Sequence, residues 1–374
     1  MTDDVGQFTT GAAATPGDRQ ASMRAVGAGL AVFAVILLGG LLYAKWWPYA
    51  HKTAAALATH SFKGKSSITG KAAAPPAFSW SAAWAFAVGY FKAVWVALLA
   101  ALLIASGTEA LLPRRWLVRL LTRGPRLLGG AAAGGLLAVP SMMCTCCTAP
   151  LAVSLRRRGV PASSAIAYWV GNPTLNPAVL AIIAVVLPWQ WVAVRIAAGL
   201  VLVFLIPPLV ARLARPMAAA PAGPVSGLAD PDGAGDPITA RSVVRTFAKT
   251  FGKLAVTLLP EYLVIVLAVG AFRPWLFPLG AHLASWGILA MLLLAVTGAL
   301  FVIPTAGEIP IIQGLLQAGL GAGPVGVLVL TLPAVSLPSL AMIARSFPRR
   351  VLAALFGAVV LLGIGCGVVL AAVG

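Results

Sequence analysis

The chain has 374 residues, of which 60% are hydrophobic and only 10% charged, where a soluble domain carries about 25% charged residues. A net charge of +18 sits at the ends of apolar runs, which suits loops held on the cytoplasmic side and not a nucleic-acid partner, since no basic patch is interleaved with aromatics. The composition excludes a soluble domain and points to an all-α polytopic membrane protein whose first partner is the lipid bilayer.

Residues 1–24 form a polar tail without a signal-peptide pattern. Ala25–Ala44 is uncharged and long enough to cross, since a span takes about 20 apolar residues. It is too long for a signal-peptide core and lacks a small-residue cleavage site, so it reads as a retained anchor helix. Lys45 and Trp46–Trp47 mark its end. A Lys-dotted polar loop, His51 to Pro76, completes an extra segment over 25–80. A second helix runs from Ala82 to Leu112 and ends at Arg114, Arg115, Arg119, Arg123 and Arg126. Five arginines in 13 residues outweigh five lysines over residues 45–71, which puts residues 113–126, and with them the N-terminus, in the cytoplasm.

Leu127–Met143 leads to a cysteine loop, then Pro150–Leu155 and Arg156–Arg158. The piece after Pro150 is too short to cross, so a re-entrant hairpin from the cytoplasmic side is expected, with its bare backbone buried in protein. Ala162–Pro188 then crosses, interrupted at Gly171–Pro177. Trp189–Trp191 marks the far interface, and Val192–Val210 returns to Arg212 and Arg215. Residues 81–212 make a first unit. A Pro-rich linker with Asp230, Asp232 and Asp236 follows. Arg241, Arg245, Lys249 and Lys253 then recur every fourth residue beside Val244, Phe247 and Phe251. This stripe either lies on an anionic leaflet or simply begins the next helix. Residues 213–253 hold both parts. The second unit, 254–374, holds a span Leu254–Phe272, a hairpin Leu283–Leu320, a broken span Pro324–Arg345 and a final helix Val351–Val373.

The two units repeat one pattern. CTCCTAP (Cys144–Pro150) and GNPTLNPAVL (Gly171–Leu180) are answered by PTAGEIP (Pro304–Pro310) and TLPAVSLPSL (Thr331–Leu340). Pro150 matches Pro310, Pro173 matches Pro333, Asn176 matches Ser336 and Leu180 matches Leu340 at one offset. Duplicated prolines inside apolar helices mark a transporter with broken helices. The flanking charges are reversed between the units: Arg156–Arg158 close the first hairpin, uncharged Leu320–Pro324 the second. The expectation is an inverted repeat of seven spans and two hairpins, with the C-terminus periplasmic. CTCC and GEIP then approach the membrane middle from opposite faces.

Cys144, Cys146 and Cys147 are soft ligands suited to thiophilic ions such as Cu(I), Zn(II) or trivalent arsenic, and three sulfurs from one loop would make a trigonal site. The plainer reading is that small cysteines pack a tight turn. The run is not read as a thioredoxin-type C-x-x-C motif, and four cysteines so spaced are no disulfide framework. Glu308 at the matching tip is an intramembrane carboxylate, a functional candidate by default; the alternative is an N-cap for the following half-helix. Glu261 is a second coupling candidate. Glu109 reads as an interfacial salt bridge and Cys366 as packing. Asn172, Pro173, Asn176, Pro310, Ser336 and Pro338 line or break the path. His51, His60 and His282 fall in loops, so no histidine relay is expected.

These motifs resemble the ArsP/DUF318 group of predicted permeases, organoarsenical efflux permeases among them, over most of residues 85–372. The resemblance implies a bacterial inner-membrane permease, some of whose relatives export trivalent organoarsenicals. It puts the cysteine motif on Cys144 and Cys146, with Cys147 additional, and the acidic motif on Glu308. The leading expectation is therefore a secondary exporter of a small thiophilic solute by alternating access, coupled to a proton or ion, with self-association compatible. A permease for a sulfur-containing anion, a membrane thiol redox protein and a non-transporting scaffold are the alternatives. No nucleotide motif of P-loop type occurs, and no cofactor is called for.

Overall fold

A computed structural model describes residues 16–61, 77–122, 130–214, 240–276 and 287–373. The tail 1–15, most of the linker with its three aspartates, Arg123, Arg126 and His282 lie outside these residues. Among the described residues every regular element is helical. Seven stretches are long and apolar enough to cross a bilayer: Gly27–Thr59, Trp80–Leu111, Ala162–Val186, Trp189–Ala211, Arg241–Ala271, Ala322–Ile343 and Arg349–Val373.

Helix α1 (Pro16–Leu41) passes through one π-turn, Leu42–Trp46, into α2 (Trp47–Thr59). The helix therefore does not stop at Ala44, and His51 lies inside α2 rather than in a loop. A charge at Lys45 looked like a membrane exit, but the side chain is buried in protein, and the Ala-rich stretch after it favours helix. α3 (Trp80–Leu111) begins at Ser79, whose hydroxyl accepts the Ala82 N–H, a standard N-cap. A short cationic helix α4 (Arg114–Thr122) follows it.

The rest shows one element order twice. In the first unit, α5 (Ala131–Ala138) and a 3₁₀ turn to Ser141 run into a break and then α6 (Thr145–Arg157). α7 (Ala162–Thr174) and α8 (Pro177–Val186) form the broken span, and α9 (Trp189–Leu200) with α10 (Ile206–Ala211) the return. In the second, α11 (Ala240–Ala271) and a turn α12 (Arg273–Leu276) precede α13 (Ile288–Leu300), a break, and α14 (Glu308–Gln317). α15 (Ala322–Ala334) and α16 (Leu337–Ile343) form the second broken span, and α17 (Arg349–Val373) closes the chain. The basic stripe is continuous with the span in α11, so it begins that helix rather than forming a separate surface segment. A stretch of 11 residues such as Ala131–Ser141 rises only about 16 Å at 1.5 Å per residue, half the ~30 Å hydrocarbon core.

Small residues set the closest approaches, as expected where lipid supplies no hydrophobic drive between helices. Gly134 of α5 lies so close to α7 that a methyl group would collide with the Ser164 carbonyl. Gly134→Ala is expected to force α5 off α7 and cost about 1–3 kcal/mol, the usual penalty of overpacking. Gly314→Ala meets nothing within 4 Å and is the matched control. Thermal unfolding followed by size-exclusion chromatography reads both, and equal melting points would contradict the packing argument.

Candidate functional site

The first helix break is held by the broken span beside it. The chain turns into α6 through Met142, which has φ of 49°, and Cys144 takes the N-cap position. The Trp169 indole N–H donates to the Thr145 carbonyl at 3.1 Å. Asn172 accepts the Met143 N–H at 3.3 Å and donates to the Tyr168 carbonyl at 2.8 Å. Asn172 thus fixes the turn. At the second tip Ala306 has φ of 65°. Gly307 takes the N-cap position and Glu308 is the first helical residue. Glu308 is not the N-cap, and its carboxylate is turned elsewhere. A non-glycine residue in the left-handed region costs about 1–3 kcal/mol, so both tips carry local strain.

The first tip meets the break in the second broken span. The Thr145 and Ser336 hydroxyls lie 3.3 Å apart, and Cys146 Sγ lies 3.4 Å from Ser336 Oγ. A cavity of about 10 Å³ between the breaks is lined by Cys144, Thr145, Pro173, Thr305, Glu308 and Pro333. That is near the minimum space that holds one water. Thiol and carboxylate face one closed site.

Arg195, in the middle of α9, is the residue the sequence reading missed. It is 0% exposed and pairs with Glu308 at 2.9 Å. Its remaining donors reach the carbonyls of Pro173 at 2.8 Å, Thr174 at 3.2 Å and Val329 at 3.2 Å. Proline explains why these carbonyls are free. Pro177 and Pro333 have no N–H, which leaves the carbonyls four residues earlier, Pro173 and Val329, without helical donors. One guanidinium therefore serves both broken helices and the carboxylate between them. Pro173 frees the Trp169 carbonyl in the same way, and the Thr148 hydroxyl lies 3.3 Å from it. The available signal was a lone charge inside an otherwise apolar span, a functional candidate by default.

The three sulfurs interact through Cys144, which is in side-chain hydrogen-bond contact with both Cys146 and Cys147. Cys144 and Cys147 sulfurs lie 3.2 Å apart, whereas Cys146 faces Ser336 and lies 3.8 Å from the Tyr90 hydroxyl. Tyr262 donates to Tyr90 at 2.7 Å, so α3 and α11 both reach this sulfur. Among the described residues no group of three or more His, Cys, Asp or Glu is placed to hold a metal ion. Cys146 differs from the other two in also facing Ser336 and Tyr90, because α6 starts at Thr145 and turns it toward them. Cys144 and Cys147 also stand in C-x-x-C spacing, so the argument against a thiol pair does not hold.

Residues 79–372 match the model of the ArsP_1 family, described as predicted permeases. The chain belongs to that family. The permease is also similar to the UPF0718 protein YraQ of Escherichia coli (strain K12), with 42% identity over 328 residues, 86% of this chain and 89% of that one. That share exceeds what residues 79–372 make up, so the likeness extends into the N-terminal segment. No solved structure matches. Family and helices together make this a multi-pass membrane protein, and permease membership favours transport over catalysis.

Other candidates fall outside the closed cavity. Glu261 pairs with Arg345 at 3.0 Å, both partly exposed. Glu109 lies 3.7 Å from Arg157, the ion pair expected of it. Asn176 caps α8 through the Ala178 and Val179 N–H groups, and Ser336 forms a capping box with Ser339. Pro338 opens α16, and Cys366 is buried in α17. Pro310 lines a different, larger cavity with Lys45 and Thr305. Two buried atoms near the breaks are left without hydrogen-bond partners, Glu308 Oε2 and Asn176 Nδ2.

Proposed function

We propose that this permease is a secondary-active exporter that moves a small thiophilic solute by alternating access between two oppositely oriented halves. The solute is a trivalent organoarsenical or a soft metal or metalloid. The observation that carries the proposal is the shared cavity, with Cys144 on one side and Glu308 on the other. At about 10 Å³ it is closed, so binding requires the hairpin tips to part, and the strained Met142 and Ala306 turns are where they hinge. The reversed flanking charges support the opposed halves, an inner-membrane location and a cytoplasmic N-terminus.

Glu308 is the coupling group in this reading. One carboxylate oxygen holds Arg195 and the other has no partner, so a proton has an acceptor inside the site. Taking it neutralises the carboxylate and releases the guanidinium that spans both halves. In vesicles, Glu308→Gln is expected to lower the transport rate by about tenfold or more, the equivalent of ~1.4 kcal/mol, and to flatten its pH dependence. Unchanged rate and pH profile would remove the coupling role. Growth of an expressing strain on arsenicals, antimonite, copper, zinc and thiosulfate identifies the solute; no altered tolerance or uptake on any of them would count against a thiophilic cargo. A sulfur-containing anion is the second reading, favoured by a buried lysine beside the site.

A further inference from the structure

Beside the site lies a cavity of about 470 Å³ between the N-terminal helix and the second hairpin tip. Its lining includes Lys45, Trp47, Tyr49, Lys52, Thr305 and Pro310, and Thr305 also lines the closed thiol cavity. One tip separates the two spaces. Lys45 is only 4% exposed. Its ammonium has three donors, and one reaches the Thr305 hydroxyl at 3.0 Å. The same tip is gripped by Tyr49, whose hydroxyl donates to the Thr305 carbonyl at 2.7 Å. The first tip is touched as well, since the Trp46 indole donates to the Pro140 carbonyl at 2.7 Å.

Among the described residues no carboxylate pairs with these lysines. From Arg19 to Thr108 the sequence has no acidic residue. The membrane part carries Glu109, Glu261 and Glu308, and each already pairs with an arginine. Asp18 stands 27 residues before Lys45 on the same helical run, about 40 Å away at 1.5 Å per residue. A buried ammonium without a carboxylate partner is costly, and Lys45 meets the Thr305 hydroxyl and the electrostatic reach of the Cys144 and Cys147 thiols, so the cavity favours an anion.

We propose that this cavity is a vestibule that binds a small oxyanion on Lys45 and Lys52. An oxyanion reaches such a site either free in water or as a lipid headgroup. Lys45 lies near the middle of the 33-residue stretch Gly27–Thr59, whereas headgroups lie about 15 Å from the bilayer centre. The depth of Lys45 favours the free anion as the occupant. Resting on the permease reading, the vestibule favours its second form, a sulfur-containing anion, which the lysines would gather beside the tip that borders the sulfurs.

The test uses the full-length protein in phosphatidylcholine nanodiscs, titrated calorimetrically with sodium sulfate and sodium thiosulfate. Both anions are expected to bind saturably. Lys45→Met is expected to weaken binding about tenfold or more, Lys52→Met about threefold, and Lys45→Arg less than either. Lys52 is at the exposed rim, so Lys52→Met reports on the site even if Lys45→Met disturbs folding. Sulfate binding unchanged in Cys144→Ser/Cys147→Ser separates the vestibule from the thiol reading, and either can fail alone. Failure of both anions to bind, or wild-type affinity in both methionine variants, overturns the vestibule. Competition by added phosphatidylglycerol overturns the free anion as its occupant.

Discussion

Arg195→Met is expected to be the most damaging single substitution in the described membrane region, costing about 3–5 kcal/mol of stability and abolishing transport. The cost arises because removing one member of a buried pair strands the other. Glu308 would keep a charge in a site where it is 1% exposed, and the Pro173, Thr174 and Val329 carbonyls would lose their donor. Arg195→Met/Glu308→Leu tests the argument, since replacing a buried pair by apolar residues is often neutral or stabilising. The double variant is expected to recover much of the melting temperature and none of the transport. Arg195→Lys is expected to fall between, because an ammonium cannot match the planar fork that serves four acceptors. Thermal unfolding separates these cases. A single variant as stable as wild type would mean that water already satisfies Glu308.

Residues with a periodic or duplicated signal are legible in the sequence. The prolines at 173, 177, 333 and 338 marked two broken spans, and the breaks fall at Leu175–Asn176 and Val335–Ser336. Cys144 and Glu308 were chosen as answering residues of a repeat, and they line one cavity. What escaped notice was asymmetric. Arg195 belongs to no duplicated motif, and its acceptors are backbone carbonyls, which leave no residue-type signature. Lys45 reads in sequence as a membrane boundary because charge alone does not distinguish a side chain facing water from one held by Thr305, 260 residues away. The second contact of Cys146 depended on the helical phase of α6: a start at Thr145 brings it to Ser336 as well as to Cys144.

That phase yields the sharpest expectation for the thiols. Cys144→Ser and Cys147→Ser are each expected to lower transport of a soft solute at least about tenfold, since even the loss of a group behind a metal ligand costs ~10–100-fold. Cys146→Ser is expected to stay within about threefold, because a hydroxyl keeps the hydrogen bonds to Ser336 and Tyr90 and net differences there are near 0.5 kcal/mol. The ranking separates a two-sulfur site from a trigonal one, in which all three substitutions would be equally damaging. It also separates transport from thiol redox chemistry. With sulfurs 3.2 Å apart, Cys144 and Cys147 need little movement to form a disulfide under an added oxidant such as diamide. Oxidation forms the S–S bond and passes two electrons and two protons to the diamide. If the pair works as a ligand, oxidation blocks transport and dithiothreitol restores it. Turnover that instead required repeated cycles of oxidation and reduction, with no solute crossing, would make the pair an electron carrier and leave the ligand reading without support.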